Sequence, residues 1–375
     1  MKIAVNTRLL LKEKLEGIGW FTYETLKRIV TAHPEHTFYF IFDRDYSEEF
    51  VFAENVQPVI TFPPARHPYL WYLYFEHAIP YVLRKLQPDL FLSPDGALSL
   101  RTDIPQISVI HDINFVHNKE YLKPVVYKYY NKYFPLFAQK ATRIATVSNF
   151  SKQDICHHFH IPEEKIDVIY NGSNPVFQPL NAEEKREARV RYAYGYDYFL
   201  FVSAIHKRKN LANILRAFEL FKEKTSSDYR FIVVGERAGE QGDIDEVLKD
   251  MKHRGDVRFL GHLKMNELAQ VMGAAQCLVY ASLFEGFGIP IVEAFQAETA
   301  VITSNVTSMP EIAGDAAWIV NPLSVEEIAE AMRQAATDEA LRQKYIAQAR
   351  IQRTRFSWEL SAEKLWNCIE KGMER

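Results

Sequence analysis

Two glutamates flank a glycine turn in the stretch FEGFGIPIVE, which runs from Phe284 to Glu293 with seven residues between the two carboxylates. The stretch follows an apolar run, and Pro290 suits the first turn of a helix, where its missing N–H costs nothing. We therefore predict a helix that starts near Gly288, with Gly286 and Gly288 exposing backbone N–H groups. A helix start at the end of a buried strand binds anions, so a phosphate is the expected ligand.

The carboxylates of Glu285 and Glu293 would repel a phosphate, so a functional role requires partners that donate hydrogen bonds, such as sugar hydroxyls. Glu293, about one turn into the predicted helix, could accept from a ribose, and Glu285 from a hexose near the reacting centre. A ligand with a sugar on both sides of a diphosphate is a nucleotide sugar. The structural alternative is that Glu285 caps the helix and Glu293 forms a surface pair.

Basic and imidazole side chains follow two other predicted strands. Arg208 and Lys209, in the stretch HKRKN after FLFVSA, could neutralise a departing diphosphate, although a solvated basic turn has the same composition. His111 and Asp112 follow the strand ISVI. A histidine beside an acid is a common active-site arrangement, and a structural histidine is the alternative.

Gly17 and Gly19 lie at the start of the first predicted helix and could let backbone approach a ligand. Thr22 stands where a dinucleotide fingerprint needs a third glycine, and a long segment separates the pair from the first strand, so the pattern argues against a dehydrogenase. We expect no metal site, because the 12 histidines form no H-E-x-x-H arrangement. The histidines of ICHHFHIP, at 157, 158 and 160, are interpreted as an exposed helix end.

Length and composition indicate a two-domain protein. The chain has 375 residues, of which 47% are hydrophobic, and this exceeds the size at which a single core keeps growing. A formal charge of -3 provides no basic field for nucleic acid. Three widely spaced cysteines fit a reducing compartment, and no stretch approaches the ~20 apolar residues of a membrane span, so we expect a cytoplasmic protein.

Short apolar runs alternate with amphipathic segments in both halves of the chain. Strands are predicted at 3–6, 37–42, 89–93, 107–110, 143–148 and 166–170, and after a proline-bearing linker at 199–204, 230–235, 257–261, 277–282, 300–304 and 317–320. Nearly apolar strands joined by helices predict parallel sheets covered on both faces, and therefore two doubly wound α/β domains. The terminal stretch places Trp358, Ala362, Leu365 and Ile369 on one helical stripe that must be covered.

The sequence resembles the retaining glycosyltransferases of family 4, the "group 1" class, over essentially its whole length. The resemblance is carried by EGIGWFTYE, VIHD, TVSNFS, EKIDVIYNG, HKRKNLANILRAF, VRFLGHL, FEGFGIPIVEAF, SMPEIAGDAA and FSWELSAEKLW, and the spacing of Glu285 and Glu293 is the EX7E motif of that family. It implies the GT-B fold, with two Rossmann-like domains facing across a cleft. An acceptor-binding domain is expected at 1–176, with the C-terminal helix 357–375 crossing back to it, and a donor-binding domain at 177–356.

The resemblance also implies roles for single residues. Arg208 and Lys209 match the cationic pair that binds the donor diphosphate, Glu293 matches the ribose-binding glutamate, and Glu285 matches the glutamate next to the reacting carbon. His111 resembles the histidine beside the transferred sugar and completes the expected catalytic set. The further donor-binding positions are Gly17 and Gly19 in the first domain, Leu263 near the base, and Gly286, Phe287, Gly288 and Ile289 at the phosphates.

The function implied is retaining, metal-independent transfer of a hexose to a glycan or lipid-linked acceptor in cell-surface polysaccharide biosynthesis. The co-substrate is expected to be a GDP- or UDP-linked sugar, with no cofactor, and the leaving phosphate to help deprotonate the acceptor. Ser203-Ala204 replaces the Gly-Arg pair of many relatives, as in a subset of the family with several mannose transferases, and this favours GDP-mannose. A GT-B nucleotide-sugar 2-epimerase and a non-catalytic sugar-nucleotide-binding subunit are the alternatives.

Aromatic and basic residues concentrate in two segments of the first domain, HPYLWYLYFEH (67–77) and YLKPVVYKYYNKYF (121–134). At helical spacing such residues usually belong to a core, whereas stacking on sugars and contact with the inner face of a membrane are the alternatives. The expected partners are therefore the nucleotide sugar and a glycan or lipid-linked acceptor, without nucleic acid. Peripheral association with a membrane stays open.

Overall fold

The computed structural model describes residues 1–12, 15, 17–237 and 242–374. The chain forms two compact units, the first made of Met1–Gly172 with Ser357–Arg375 and the second of Ser173–Phe356. The boundary expected at residue 176 thus lies at Gly172 in the structure, and the second boundary lies at Phe356.

The first unit alternates strands and helices along the chain. Its elements are β1 Lys2–Asn6, α1 Gly17–Ala32, β2 Thr37–Phe42, β3 Val56–Ile60, α2 Pro68–Leu73, a π-helical turn Tyr74–Ala78, α3 Ile79–Leu86, β4 Leu90–Ser93, β5 Gln106–Val109, α4 Asn114–His117, α5 Pro124–Lys140, β6 Arg143–Thr146, α6 Asn149–Phe159 and β7 Ile166–Val168.

The second unit follows the same alternation, and the last helix of the chain returns to the first unit. The elements are α7 Ala182–Ala193, β8 Tyr198–Val202, α8 Leu211–Thr225, β9 Arg230–Val234, α9 Gly242–Asp250, β10 Val257–Gly261, α10 Met265–Ala274, β11 Cys277–Tyr280, α11 Ile289–Gln296, β12 Ala300–Ser304, α12 Met309–Ala313, β13 Trp318–Val320, α13 Val325–Thr337, α14 Glu339–Gln352 and α15 Trp358–Met373.

Each unit contains one parallel sheet. The strand order is β3-β2-β1-β4-β5-β6-β7 in the first unit and β10-β9-β8-β11-β12-β13 in the second. Successive residues of β1 pack into different clusters, with Ile3 and Val5 in one and Ala4 in the other, so both faces of the sheet are covered. This confirms the predicted architecture of two doubly wound α/β domains.

The sequence patterns missed one strand, β3, which contains Pro58 in the stretch VQPVI. A proline argues against a central strand because it cannot donate a hydrogen bond to the ladder. In the structure β3 pairs with β2 and lies at the edge of the sheet, where a proline is tolerated.

The apolar stripe of α15 packs on the first unit, as the resemblance implied. Trp358, Ala362, Leu365 and Ile369 are all buried, in a cluster that also contains Ile3 and Val5 of β1. At Gly172 a Cβ atom would lie 2.4 Å from the backbone nitrogen of Trp358, so only glycine fits where the chain leaves this unit.

The aromatic segment 67–77 contributes partly to the core and partly to the surface. Tyr74 and Phe75 are fully buried, whereas 70% of Tyr69 is exposed. Trp71 is half-buried and stacks on Tyr130 of α5, with ring centroids 5.3 Å apart. Within the described residues, no helix combines the length and the apolar character that a membrane crossing requires.

Candidate active site

The order of the second sheet reverses between β8 and β11, the two strands that lead into the predicted site residues. After β8 the chain makes a short 3-10 turn, Lys207–Lys209, and after β11 it enters the loop that carries Glu285. Ligands of open α/β sheets bind outside the carboxyl ends of strands at such a switch point. The topology thus brings together two motifs that are far apart in sequence.

One carboxylate holds both predicted cations. Lys209 Nζ lies 2.6 Å from Glu285 Oε1, and Arg208 Nη1 lies 3.1 Å from Glu285 Oε2. Arg208 Nη1 also donates to the carbonyl of Phe284 at 2.6 Å. The side chains of Lys209 and Glu285 are only 12% and 8% exposed, so this is a built ion network and not a solvated basic turn.

The charges of this network shift the pKa of its members. Burial alone would raise the pKa of Glu285, but the Lys209 ammonium and the Arg208 guanidinium outweigh it and lower the pKa to about 2. Burial and the neighbouring cations Arg208, Lys209 and Lys207 lower the pKa of His206. Glu285 is therefore ionised at neutral pH, and the site carries more positive charge than this carboxylate cancels.

Two residues that the sequence patterns did not single out support the site, Tyr280 inside the network and Asn210 beside it. The hydroxyl of Tyr280 donates to Glu285 Oε1 at 2.9 Å and accepts from Lys209 Nζ at 3.1 Å. Asn210 has a left-handed backbone, with φ 62°, and its side-chain amide donates to the carbonyls of Ala281 and Pro322. Tyr280 ends β11 and Asn210 directly follows Lys209, so the strand end for Tyr280 and the neighbouring cations for Asn210 were the available signals.

The glycine turn leads into α11 as predicted. The helix begins at Ile289, with Gly288 as its N-cap at φ 100°. Ser308 fixes the turn from a neighbouring segment, because its hydroxyl donates to the carbonyls of Glu285 at 2.9 Å and Phe287 at 3.1 Å. The backbone of 286–288 is thus held in one conformation at the start of a helix, where N–H groups favour an anion.

Glu293 is buried in α11, 9% exposed, and it is not the surface pair considered as an alternative. Burial raises the pKa of Glu293 to about 8. Among the described residues none donates a hydrogen bond to its carboxyl group, unlike the well-paired Glu285. A buried carboxyl group without such a partner is costly for the fold, which is typical of a ligand-binding position.

The remaining predicted site residues divide between the two units. Leu263 lies half-buried in the loop between β10 and α10 of the second unit. Gly17 is the first residue of α1, and a Cβ at Gly19 would approach the carbonyl of Leu9 to 3.1 Å. Gly17, Gly19 and His111 all belong to the first unit.

His111 is placed by contacts inside the first unit. Its Nε2 lies 2.9 Å from the carbonyl oxygen of Pro94, so this nitrogen carries the proton and donates. The ring meets Phe21 edge-on at 5.0 Å, and burial lowers the pKa of His111. The imidazole is therefore neutral at neutral pH.

Two clusters in the described part of the first unit have the composition to hold a metal ion, with donor atoms within 4.8 Å of one another: His33, Glu35 and His36, and His117, Asp154 and His158. In the second cluster both imidazoles lie next to one carboxylate, with His117 Nε2 2.9 Å and His158 Nδ1 3.1 Å from Asp154 Oδ1. His157 and His158 end α6 and are exposed, as the sequence indicated, but the approach of His117 depends on the tertiary fold.

Comparison with known proteins assigns both units. Residues 181–352 match the family model "Glycosyl transferases group 1", and residues 15–176 match "Glycosyltransferase Family 4". The chain is 27% identical over 371 residues to O-antigen chain mannosyltransferase B of Escherichia coli, covering 96% of this chain and 97% of the relative. It is 27% identical to O-antigen chain mannosyltransferase RfbU of Salmonella typhimurium, covering 74% of this chain and 75% of the relative.

A solved structure shows the same fold. The Anabaena protein Alr3699/HepE, in complex with UDP and glucose, superimposes with a TM-score of 0.76 over 99% of each chain at 18% identity. The topology, the two family matches and this structural likeness agree with one another. The chain therefore belongs to family 4 of the glycosyltransferases, the group 1 class, and has the GT-B fold of two Rossmann-like domains.

Proposed function

We propose that this protein is a retaining, metal-independent mannosyltransferase that uses GDP-mannose and extends a glycan or lipid-linked acceptor in cell-surface polysaccharide biosynthesis. The observation that carries the proposal is the network of Arg208, Lys209 and Glu285 beside the start of α11. The two relatives above are named O-antigen mannosyltransferases, which supports mannose as the transferred sugar.

In this proposal protein groups stabilise the negative charge that develops on the leaving diphosphate. Arg208 and Lys209 bring two positive charges to one carboxylate, and the start of α11 adds backbone N–H groups. As the sugar leaves, negative charge grows on the diphosphate, and fixed cations in a half-buried site stabilise that charge without reorganisation. A divalent metal ion is then not required for departure of the leaving group.

The state of Glu285 supports a front-face route. Its Oε1 accepts from Lys209 and Tyr280 and its Oε2 from Arg208, so the carboxylate is strongly stabilised and is a weak nucleophile. A covalent sugar–Glu285 intermediate would break these contacts. In the proposed mechanism the leaving phosphate accepts the proton of the acceptor hydroxyl on the same face, and Glu285 orients the cations and a sugar hydroxyl.

Glu293 and His111 supply binding contacts in this proposal. Glu293, buried and without a described hydrogen-bond donor, is positioned in α11 to accept from the ribose diol. His111 donates its Nε2 proton to Pro94, which leaves Nδ1 as the acceptor for a hydroxyl of the transferred sugar.

The test is a calorimetric and thermal-shift screen of GDP, UDP, ADP and their common sugars, with Glu293→Ala as the comparison. We expect GDP and GDP-mannose to stabilise the protein selectively, and Glu293→Ala to weaken both. Selective binding of UDP-glucose, the sugar nucleotide present in another solved complex of HepE, would replace GDP-mannose as the donor. Binding of no nucleotide would overturn the transferase proposal.

Analysis of the reaction products tests retention, metal independence and the epimerase alternative. Release of GDP with an α-linked mannoside, unchanged in EDTA, would support retention without a metal. A β-linked product would contradict retention. Conversion of the nucleotide sugar without release of nucleotide would identify an epimerase instead.

A further inference from the structure

The sheet of the first unit has its own switch point, and its residues have no role in the mechanism above. The strand order reverses between β1 and β4. Asn6 ends β1 and Arg8 follows it, while Ser93 ends β4 and Asp95 follows it. Arg8 and Asp95 form an ion pair at this place, so each unit carries a cation–carboxylate pair at the carboxyl end of its reversing strands.

The carboxylate of this pair is rigidly held. Asp95 Oδ1 accepts from the amide of Asn6 at 3.0 Å, from the hydroxyl of Ser93 at 3.0 Å and from the backbone of Ala97 at 3.3 Å. Asp95 Oδ2 accepts from Arg8 Nε. The two side chains are 5% and 14% exposed, so they form a preorganised polar site and not a surface ion pair.

The guanidinium retains unused donor capacity. Arg8 Nη1 donates to the carbonyl of Ala65 at 3.2 Å, and among the described residues none accepts from its Nη2. Tyr74 lies close enough to influence the pKa of Arg8, and its buried hydroxyl has no hydrogen-bond partner in the described part of the chain. Buried polar groups without partners are rare and indicate a ligand or ordered water.

Aromatic rings border the pair. Trp71 Nε1 donates to the same carbonyl of Ala65 as Arg8 does, at 3.0 Å, which places the indole beside the guanidinium. The indole stacks on Tyr130 with an interplanar angle of 7°, and both rings are half-buried. A flat aromatic surface next to a fixed carboxylate and guanidinium is suited to a pyranose ring, which has an apolar face and a rim of hydroxyls.

The charges argue against an anionic ligand. Arg8 is matched by Asp95, and Arg44 is matched by Asp43, whose Oδ1 lies 2.5 Å from Arg44 Nε. Asp112 adds a further carboxylate, whose negative charge favours a higher pKa of both Tyr130 and His111. A phosphate would meet more negative than positive charge here, whereas neutral hydroxyls can both accept from Arg8 and donate to Asp95.

We propose that Arg8, Asp95, Trp71 and Tyr130 form a subsite for one neutral hexopyranose unit of the acceptor glycan. The inference rests on the proposed function, because the bound sugar is an acceptor only in a glycosyl transfer. It concerns a site within the first unit and a ligand class that differs from the nucleotide diphosphate.

The test is saturation-transfer NMR and calorimetry on the full chain with α-mannobiose, maltose and lactose as probes and mannose 1-phosphate as the anionic comparison. We expect at least one neutral disaccharide to bind, and Asp95→Asn to weaken that binding by 10-fold or more. Asp103→Asn, at an exposed position of the same unit, is the matched control and should bind like the wild type. Trp71→Leu provides a second variant in case Asp95→Asn does not fold, and it should also lose 10-fold or more.

GDP affinity is measured on every variant. It should be unchanged, because Asp95, Trp71 and Asp103 are not among the residues proposed to bind the nucleotide. Disaccharide binding that survives Asp95→Asn or Trp71→Leu, absence of binding by all three probes, or Asp95-dependent preference for mannose 1-phosphate would each overturn the subsite. Failure of the wild type to bind GDP would instead count against the proposed transferase. In that case disaccharide binding would still report on the subsite.

Discussion

Glu285 is the residue on which the candidate active site depends, because hydrogen-bonding groups converge on both its side chain and its backbone. Lys209, Arg208 and Tyr280 contact the carboxylate, and Ser308 holds the carbonyl. A carboxylate with a pKa of about 2 cannot act as an acid at neutral pH. Its contribution is a fixed negative charge that keeps two cations in place.

Lys209→Ala should lower kcat by about 100-fold or more, because one fixed cation of this type contributes roughly 2.7–4 kcal/mol to transition-state stabilisation. Lys207→Ala is the matched control, since Lys207 lies in the same turn but pairs with Asp243. Turnover of GDP-mannose measures both. Equal losses in the two variants would mean that general positive charge, and not the position beside Glu285, matters.

Tyr280→Phe should lower kcat by about 10-fold with little effect on KM, because one hydrogen bond to a charged group contributes roughly 1.5–3 kcal/mol and this hydroxyl orients Glu285 and Lys209. Tyr198→Phe removes an equally buried hydroxyl that donates to Val271 at 2.6 Å, away from the network. It should cost similar stability and leave kcat unchanged. A loss of kcat that follows stability in both variants would contradict the positioning role of Tyr280.

Glu293 makes stability depend on pH in a defined direction. Because burial raises its pKa from 4.5 to about 8, the folded state keeps a proton that the unfolded state loses, and stability falls as pH rises through that window. Glu293→Gln cannot lose a proton, so it should match the wild type below the unfolded pKa of 4.5 and exceed it by roughly 3–5 kcal/mol above about pH 8. Denaturant titrations across this range measure the difference. A constant difference at all pH values would show that Glu293 does not titrate in this way.

At the scale of elements, the glycine turn determines how α11 begins. Gly288 has φ 100°, which strains any other residue, and a Cβ there would also press on Ile291 Cδ1 at 3.2 Å. Gly288→Ala should lower stability by about 1–3 kcal/mol and weaken GDP binding, because the N–H groups at the helix start shift. Denaturation and calorimetry test both effects.

Gly255→Ala is the control for that substitution. A Cβ at Gly255 has nothing within 4 Å, and no positive φ is found there, so the variant should be neutral in both measurements. Retained GDP affinity in Gly288→Ala would remove the turn from the donor site.

At the scale of the whole molecule, α15 ties the end of the chain to the first unit. Leu365→Ala should destabilise this unit by roughly 2–5 kcal/mol, because Leu365 is fully buried in its core. Leu360→Ala, in the same helix but 40% exposed, should cost much less. Denaturation measures the loss of stability, and GDP binding reports on the second unit. We expect the first unit to lose stability while the second unit keeps its GDP binding. A parallel loss in both units would show that they unfold as one.

The sequence alone determined the features that depend on neighbouring residues. Apolar runs located twelve of the strands, and the Gly-Ile-Pro order located the start of α11, because these signals are complete within a few residues. The stripe of α15 was also visible, since helical spacing shows which face needs cover. β3 escaped because Pro58 is acceptable only at a sheet edge, and edge position is a property of the whole sheet.

Only the tertiary structure decided which distant residues meet. Arg208 and Glu285 are 77 positions apart and Arg8 and Asp95 are 87 apart, and both pairs form because strand order places their strands side by side. The same strand order gives Tyr280 its place between Lys209 and Glu285. Strand order and register arise from packing over the whole sheet, so local spacing carries no record of them.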